Sequence, residues 1–255
     1  FIADNIQEVS GIINGTTNFI ISRMNDEKET YEQALTLAQE KGFAEADPAG
    51  DVEGWDAARK LIILVKLAFG YRLKLEDFDV EGITELQQLD FEAANHYGFT
   101  LKLIGSAKQL KDGFTARVGM YLVPLTHPLA MVKNEYNGVF VKGEAIGETM
   151  LYGPGAGSLP TANSVVSDVL AVSDRMKWNQ TESFLPLVSN DFEWYQAEAL
   201  VTDALLRVRN QSVAENLNLP VTKYNENYLY LSDVTEQQLK DLEANEYVEA
   251  IYRKL

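Results

Sequence analysis

The feature that most constrains this chain is a change of hydrophobic period in its middle. Leu101, Leu103 and Gly105, then Phe114, Ala116, Val118, Met120 and Leu122, recur at every second position. Only extended backbone places such positions on one face, so both runs are predicted strands. Asp112-Gly113 between them is a hairpin turn signal. Val139 to Val141 and Glu148 to Tyr152 are further strand candidates, and Leu86 to Tyr97 a helix.

The first third reads differently. Glu8 to Ile13 predicts a strand ending in the Asn14-Gly15 turn, with Thr16 or Thr17 capping a helix through Met24. Thr30 and Gln33 form a capping-box pattern for a helix that stops at Gly42. A polar loop, Phe43 to Glu53, follows. Gly54 to Ala68 is then apolar nearly all round, which predicts a buried helix. After Gly153 to Gly157 a helix is expected over about Thr161 to Val172. The final strand–helix–strand spans Tyr228 to Leu231, Thr235 to Ala244 and Tyr247 to Tyr252. The order implies an α+β fold: a mostly antiparallel or mixed sheet with helices on one face, plus a small C-terminal α+β module. A boundary is placed near Asn190, giving units 1–190 and 191–255.

Composition removes some classes of function. A net charge of -16 argues against nucleic-acid phosphates as partners. No run approaches a membrane span, and no secretory leader is recognised. The absence of cysteine excludes a disulfide framework and fits a cytoplasmic protein. The first residue is Phe1, so the chain is expected to be part of a longer one.

Candidate chemistry concentrates in GFAEADPAGDVEGWDAARK, residues 42–60. Asp56 and Lys60 are four apart and share a helix face. Their neighbours are apolar, so Lys60 is expected to project from a buried helix and to need carboxylates, Asp56, Asp51 and Glu45 being the candidates. A lysine so held is a ready proton carrier. A structural ion-pair loop accounts for the same residues equally well. A divalent metal site from Asp47, Asp51 and Asp56 is a third possibility, counted against by Lys60. Asn14 to Asn18, a strand–turn–helix with hydroxyls, offers a seat for a carboxylate or merely a cap. Gly153 to Gly157 allows close backbone approach but lacks the context of a dinucleotide fingerprint. His96 and His127 read as structural.

Taken together, NGTTN (14–18), AEADPAGDVEGWDAARK (44–60) and GPGAG followed by PTA (153–162) resemble the homoserine dehydrogenase family over roughly residues 1 to 175. The resemblance implies NAD(P)-dependent interconversion of L-homoserine and L-aspartate 4-semialdehyde, on the route to threonine, isoleucine and methionine. It implies that Lys60 is the catalytic lysine and Asp56 its partner carboxylate. Glu45 matches the residue for the substrate amino group. Asp51, Thr16 and Gly15 match substrate-pocket positions, and Phe43 stands where some members have Tyr. Gly157, with Gly155, matches the glycines near the nicotinamide; no metal ligand is implied for these residues. It further implies a homodimer, and an N-terminal Rossmann domain whose fingerprint this sequence lacks, so the chain alone is expected to be inactive and not to bind NAD(P). The tail matches the place of an ACT regulatory domain, in degenerate form. A non-catalytic dimerisation or amino-acid effector-binding module is the alternative.

Overall fold

The computed structural model describes residues 3–111, 113–179, 189, 192–194, 200–210, 212–215 and 219–255. Asp112 and the boundary at Asn190 lie outside these. In chain order the elements are β1 (Ile6–Ile12), α1 (Gly15–Glu27), α2 (Tyr31–Glu40), α3 (Ala49–Val52), α4 (Trp55–Phe69), β2 (Asp79–Val80), α5 (Gln88–His96), β3 (Phe99–Leu110) and β4 (Gly113–Pro124). There follow β5 (Tyr136–Gly143), β6 (Gly147–Pro154), α6 (Ser158–Lys177), β7 (Val201–Val208), α7 (Ser212–Glu215), β8 (Val221–Lys223), β9 (Tyr228–Thr235), α8 (Glu236–Glu243) and β10 (Val248–Lys254).

One mixed sheet of ten strands runs through both halves, in the order β6-β5-β1-β3-β4-β10-β7-β9-β8 with β2 also on β4. β3 and β4 form an unbroken antiparallel hairpin from Phe99↔Pro124 to Leu110↔Gly113, the pairing that the period-two runs demand. β2 and β10 both pair with β4 in parallel. The α+β architecture predicted from the sequence is the one observed. β3 and β4 are interior strands of this sheet.

The main core lies where α1, α2, α4 and α5 cover one face of the sheet. Ile20, Leu61, Phe91, Leu101, Phe114 and Leu122 are fully buried there, each burial contributing about 1.5–3 kcal/mol. A second cluster on the opposite face joins Ile12, Ile104, Tyr121 and Val123 to the segment Leu129–Val132.

Three local expectations are corrected. α1 is capped by Asn14, not by Thr16 or Thr17, because the Asn14 side chain accepts from the Thr17 amide at 2.8 Å. The polar loop contains a one-turn helix, α3. α4 is buried only along Ala57, Ala58, Leu61 and Val65, while Ile63 and Leu67 are 57% and 52% exposed. Its inner stripe meets the sheet, and nothing else among the described residues covers its back. The Thr30–Gln33 capping box forms as expected.

α6 is longer than predicted and has no buried residue; Leu159, Val169 and Met176 are among its exposed apolar side chains. No helix among the described residues is long and apolar enough to cross a membrane.

The tail contributes β7-α7-β8-β9-α8-β10, with strands ordered β10-β7-β9-β8. It is fastened to α5 by a buried polar network. Arg207 on β7 donates to Asp90 at 2.6 Å and to the Glu85 carbonyl at 3.0 Å. The Tyr228 hydroxyl donates to Asp90 at 2.8 Å.

Candidate functional site

β1 ends at Ile12, and the chain turns through Asn14 into α1. Asn14 has extended backbone, and the residue is 4% exposed. While its Oδ1 caps Thr17, its Nδ2 donates to Asp51 Oδ1 at 2.7 Å and to Asp56 Oδ2 at 2.8 Å. One amide therefore joins the start of α1 to the end of α3 and the start of α4. Both of its ends are satisfied, which fixes their relative placement.

Asp56 Oδ2 also accepts from Lys60 Nζ at 2.7 Å, and Lys60 Nζ donates to the Ile13 carbonyl at 3.1 Å. The lysine is thus drawn to the turn itself. The expected dry enclosure is not there: the Lys60 side chain is 46% exposed and that of Asp56 33%. The reason is the open back of α4, which leaves the ammonium at a mouth instead of in a cavity. An ammonium has three N–H donors. Two are taken by Asp56 and Ile13, and the third has no protein partner among the described residues.

Around this pair, Thr16 Oγ1 donates to the Phe43 carbonyl at 2.6 Å, so its remaining capacity is that of an acceptor. Phe43 is half-buried and meets Phe19 edge to face at 5.0 Å. Glu45, two residues on, is exposed; its carbonyl accepts from Gln39, and its carboxylate makes no hydrogen bond among the described residues. Gly15 is pressed against the 132–136 loop, and a Cβ there would lie 2.7 Å from the Glu135 carbonyl oxygen. That loop is pinned from beneath. Lys102 donates to the Val132 carbonyl at 2.6 Å and to Asn18 Oδ1 at 3.2 Å. Asn18 Nδ2 donates to the carbonyls of Val132, Asn134 and Tyr136. Burial draws the Lys102 ammonium down to about 8.

The glycine loop comes to the same end of the sheet. Ile12 pairs with Gly138, and Tyr136 with Pro154, so the exits of β1 and β6 flank the entry to β5. Asn137 fills the space between the two loops. A Cβ on Gly155 would sit 2.0 Å from its Nδ2, and one on Gly15 3.6 Å from its Oδ1. Gly157 has φ +111, a conformation that glycine alone adopts easily, and a Cβ there would touch the Pro160 ring at 3.6 Å.

The structure directly joins Asp51, Asp56 and Lys60 through Asn14 and places Thr16 and Phe43 beside them. Glu45 is near by chain connection alone, and Gly155 and Gly157 approach across Asn137. Lys102 and Asn137 escaped the sequence reading, and Asn14 and Asn18 were read only as part of the 14–18 seat, with no role of their own. Asn14 had a signal, since an Asn ahead of Gly-Thr-Thr is a strong cap; the others had none. Asp47 joins neither Asp51 nor Asp56, and its carboxylate caps Ala49. Among the described residues no group of three potential metal ligands occurs.

The homoserine dehydrogenase family model matches residues 1–170. The chain belongs to the homoserine dehydrogenase family. It is 51% identical over 179 residues to the homoserine dehydrogenase of Bacillus subtilis (strain 168), covering 70% of this chain and 41% of that protein. The Synechocystis homoserine dehydrogenase is 42% identical over 207 residues, covering 79% of this chain and 48% of that protein. The chain therefore spans less than half the length of these curated relatives. Among solved structures, a homoserine dehydrogenase from Thiobacillus denitrificans matches with a TM-score of 0.85 at 33% identity, covering 100% of this chain and 65% of that one. One from S. aureus matches with a TM-score of 0.79 at 33% identity, covering 99% and 66%. Both structural matches include the tail.

Proposed function

We propose that this chain is the substrate-handling portion of a homoserine dehydrogenase that interconverts L-homoserine and L-aspartate 4-semialdehyde. The observation that carries the reading is the Lys60 ammonium, held between Asp56 and the Ile13 carbonyl at the lip of the Asn14 turn with one donor uncommitted. In this scheme Glu45 and the acceptor oxygen of Thr16 take the substrate ammonium. Gly15 and Phe43 shape the wall, and Asp51 and Asp56 hold the Asn14 hub. Lys60 exchanges a proton with the substrate hydroxyl oxygen in one direction and the aldehyde oxygen in the other. Positioning of this kind accounts for much of a dehydrogenase rate. NAD(P), when bound, supplies the hydride chemistry. Gly155 and Gly157 provide the close backbone approach on this side, and the remainder of a full-length protein provides the nucleotide-binding fold. This chain alone is expected neither to bind the dinucleotide nor to turn over.

The tail is proposed as an ACT-like module of residues 191–255, supported by the strand order β10-β7-β9-β8 and the β-α-β-β-α-β sequence of elements. A homodimer and a cytoplasmic setting are proposed on the family likeness. In the full-length protein Lys60→Ala should lower turnover by about 10²–10⁴-fold with little change in homoserine KM. Turnover within a factor of about three of the parent would remove Lys60 from the proton path.

A further inference from the structure

The connection that enters β5, residues 132–137, touches both halves of the candidate site. Its Glu135 carbonyl is pressed against Gly15, and its Asn137 amide lies on Gly155. Where this connection sits therefore sets the gap between the Gly15 turn and the glycine loop.

What holds the connection is a buried polar pair, Asn18 on α1 and Lys102 on β3, 1% and 4% exposed. The Asn18 amide donates to the carbonyls of Val132, Asn134 and Tyr136 at 3.3, 2.8 and 3.1 Å. The Asn134 amide donates to Ser22 Oγ, one turn further along α1, at 2.9 Å. The chain turns at Asn134, whose φ of +55 is in the left-handed region that asparagine tolerates.

A side-chain amide has a donor end and an acceptor end, and only the donor end can serve three carbonyls. Lys102 decides which end faces them. Its ammonium is a donor only, and it takes Asn18 Oδ1 at 3.2 Å and the Val132 carbonyl at 2.6 Å. The charge is otherwise hard to account for. Lys102 makes no ion pair among the described residues, and Asp26 and Lys133, the charged groups that act on it, are spent on each other at 2.8 Å. Burying an ammonium on neutral acceptors costs stability, and an apolar side chain of similar length would avoid that cost. The hydrogen bonds of Lys102, not the needs of the core, explain its presence.

We propose that Lys102 and Asn18 are positioning residues of the homoserine site: Lys102 orients the Asn18 amide, and the pair fixes residues 132–136 so that Glu135 backs the Gly15 turn. The inference rests on the homoserine reading for the identity of the ligand alone.

The test uses the full-length protein. Lys102→Met removes the donor that orients the amide. Asn18→Asp keeps an acceptor for Lys102 but has no donor for the carbonyls. In each variant the homoserine KM should rise about fivefold or more. KM does not depend on how much of the protein is folded, so a merely structural role would lower only the apparent kcat. Lys60→Ala should show the opposite split. In amide exchange read by mass spectrometry, residues 13–18 should exchange about tenfold faster together with 132–137, while α2 keeps its parent rate. Lys133→Ala, on the exposed side of the same connection, should leave both readouts at their parent values. A homoserine KM within about twofold of the parent in either folded variant, or faster exchange confined to 132–137, would overturn the proposal. If the full-length parent does not turn over homoserine, the substrate reading falls and the exchange result alone decides the positioning role.

Discussion

The molecule contains two ion pairs of similar length and opposite character. Asp56–Lys60 spans 2.7 Å with side chains 33% and 46% exposed. Asp90–Arg207 spans 2.6 Å with side chains 0% and 5% exposed. The first is local, four residues apart on one helix, and leaves a donor unspent. The second joins α5 to the tail across 117 residues, and its Asp90 is filled by Arg207, the Tyr228 hydroxyl and the Gln87 amide. Burial tends to lower the Arg207 guanidinium, but Tyr252, Asp90 and Tyr228 outweigh it and the net direction is upward. Burial, then Asp90, push the Tyr228 hydroxyl up. Ion-pair geometry alone does not distinguish a working group from a structural one.

The comparison breaks most visibly at Asp90. Asp90→Ala leaves the buried Arg207 with Glu249 and the Glu85 carbonyl to answer it, and should cost about 3 kcal/mol in urea unfolding, with the tail loosening first. A loss below about 1 kcal/mol would mean that the network holds nothing together. Lys102 tests burial from another side, because its ammonium is drawn from 10.5 to about 8. The unfolded chain holds that proton up to about pH 10.5, so this group's cost is complete below pH 8 and relieved as pH rises through the window. Lys102→Met should remove that rise, an effect of up to about 3 kcal/mol, read from unfolding free energies of parent and variant at pH 8 and 10. Identical pH slopes would show that the group is solvated. The smallest effect is expected at the exposed pair. Lys60→Met should change stability by no more than about 0.5 kcal/mol, however large its effect on turnover. A loss of several kcal/mol would make Lys60 a structural residue after all.

Much of the fold was legible because it rests on local rules. Period-two runs made β3 and β4, and the Thr30–Gln33 box started α2 where expected. The site was legible as a set of residue types and spacings in residues 42–60, but not as a shape. α4 looked buried on every side because composition cannot tell which face a neighbour covers; Ile63 and Leu67 proved exposed, and so did Lys60. The Asn14 hub was missed because its partners Asp51 and Asp56 stand 37 and 42 residues away.

The sequence by itself determined the periods of its elements, the Thr30 cap and the segments of the family signature, all consequences of residues within a few positions of one another. Only the tertiary structure decided that β10 returns to lie parallel against β4, that Asp90 is sealed by Arg207, and that Lys60 stays half in water. Burial is a relation between distant segments. Local pattern can require that an apolar face be covered, but not say by what.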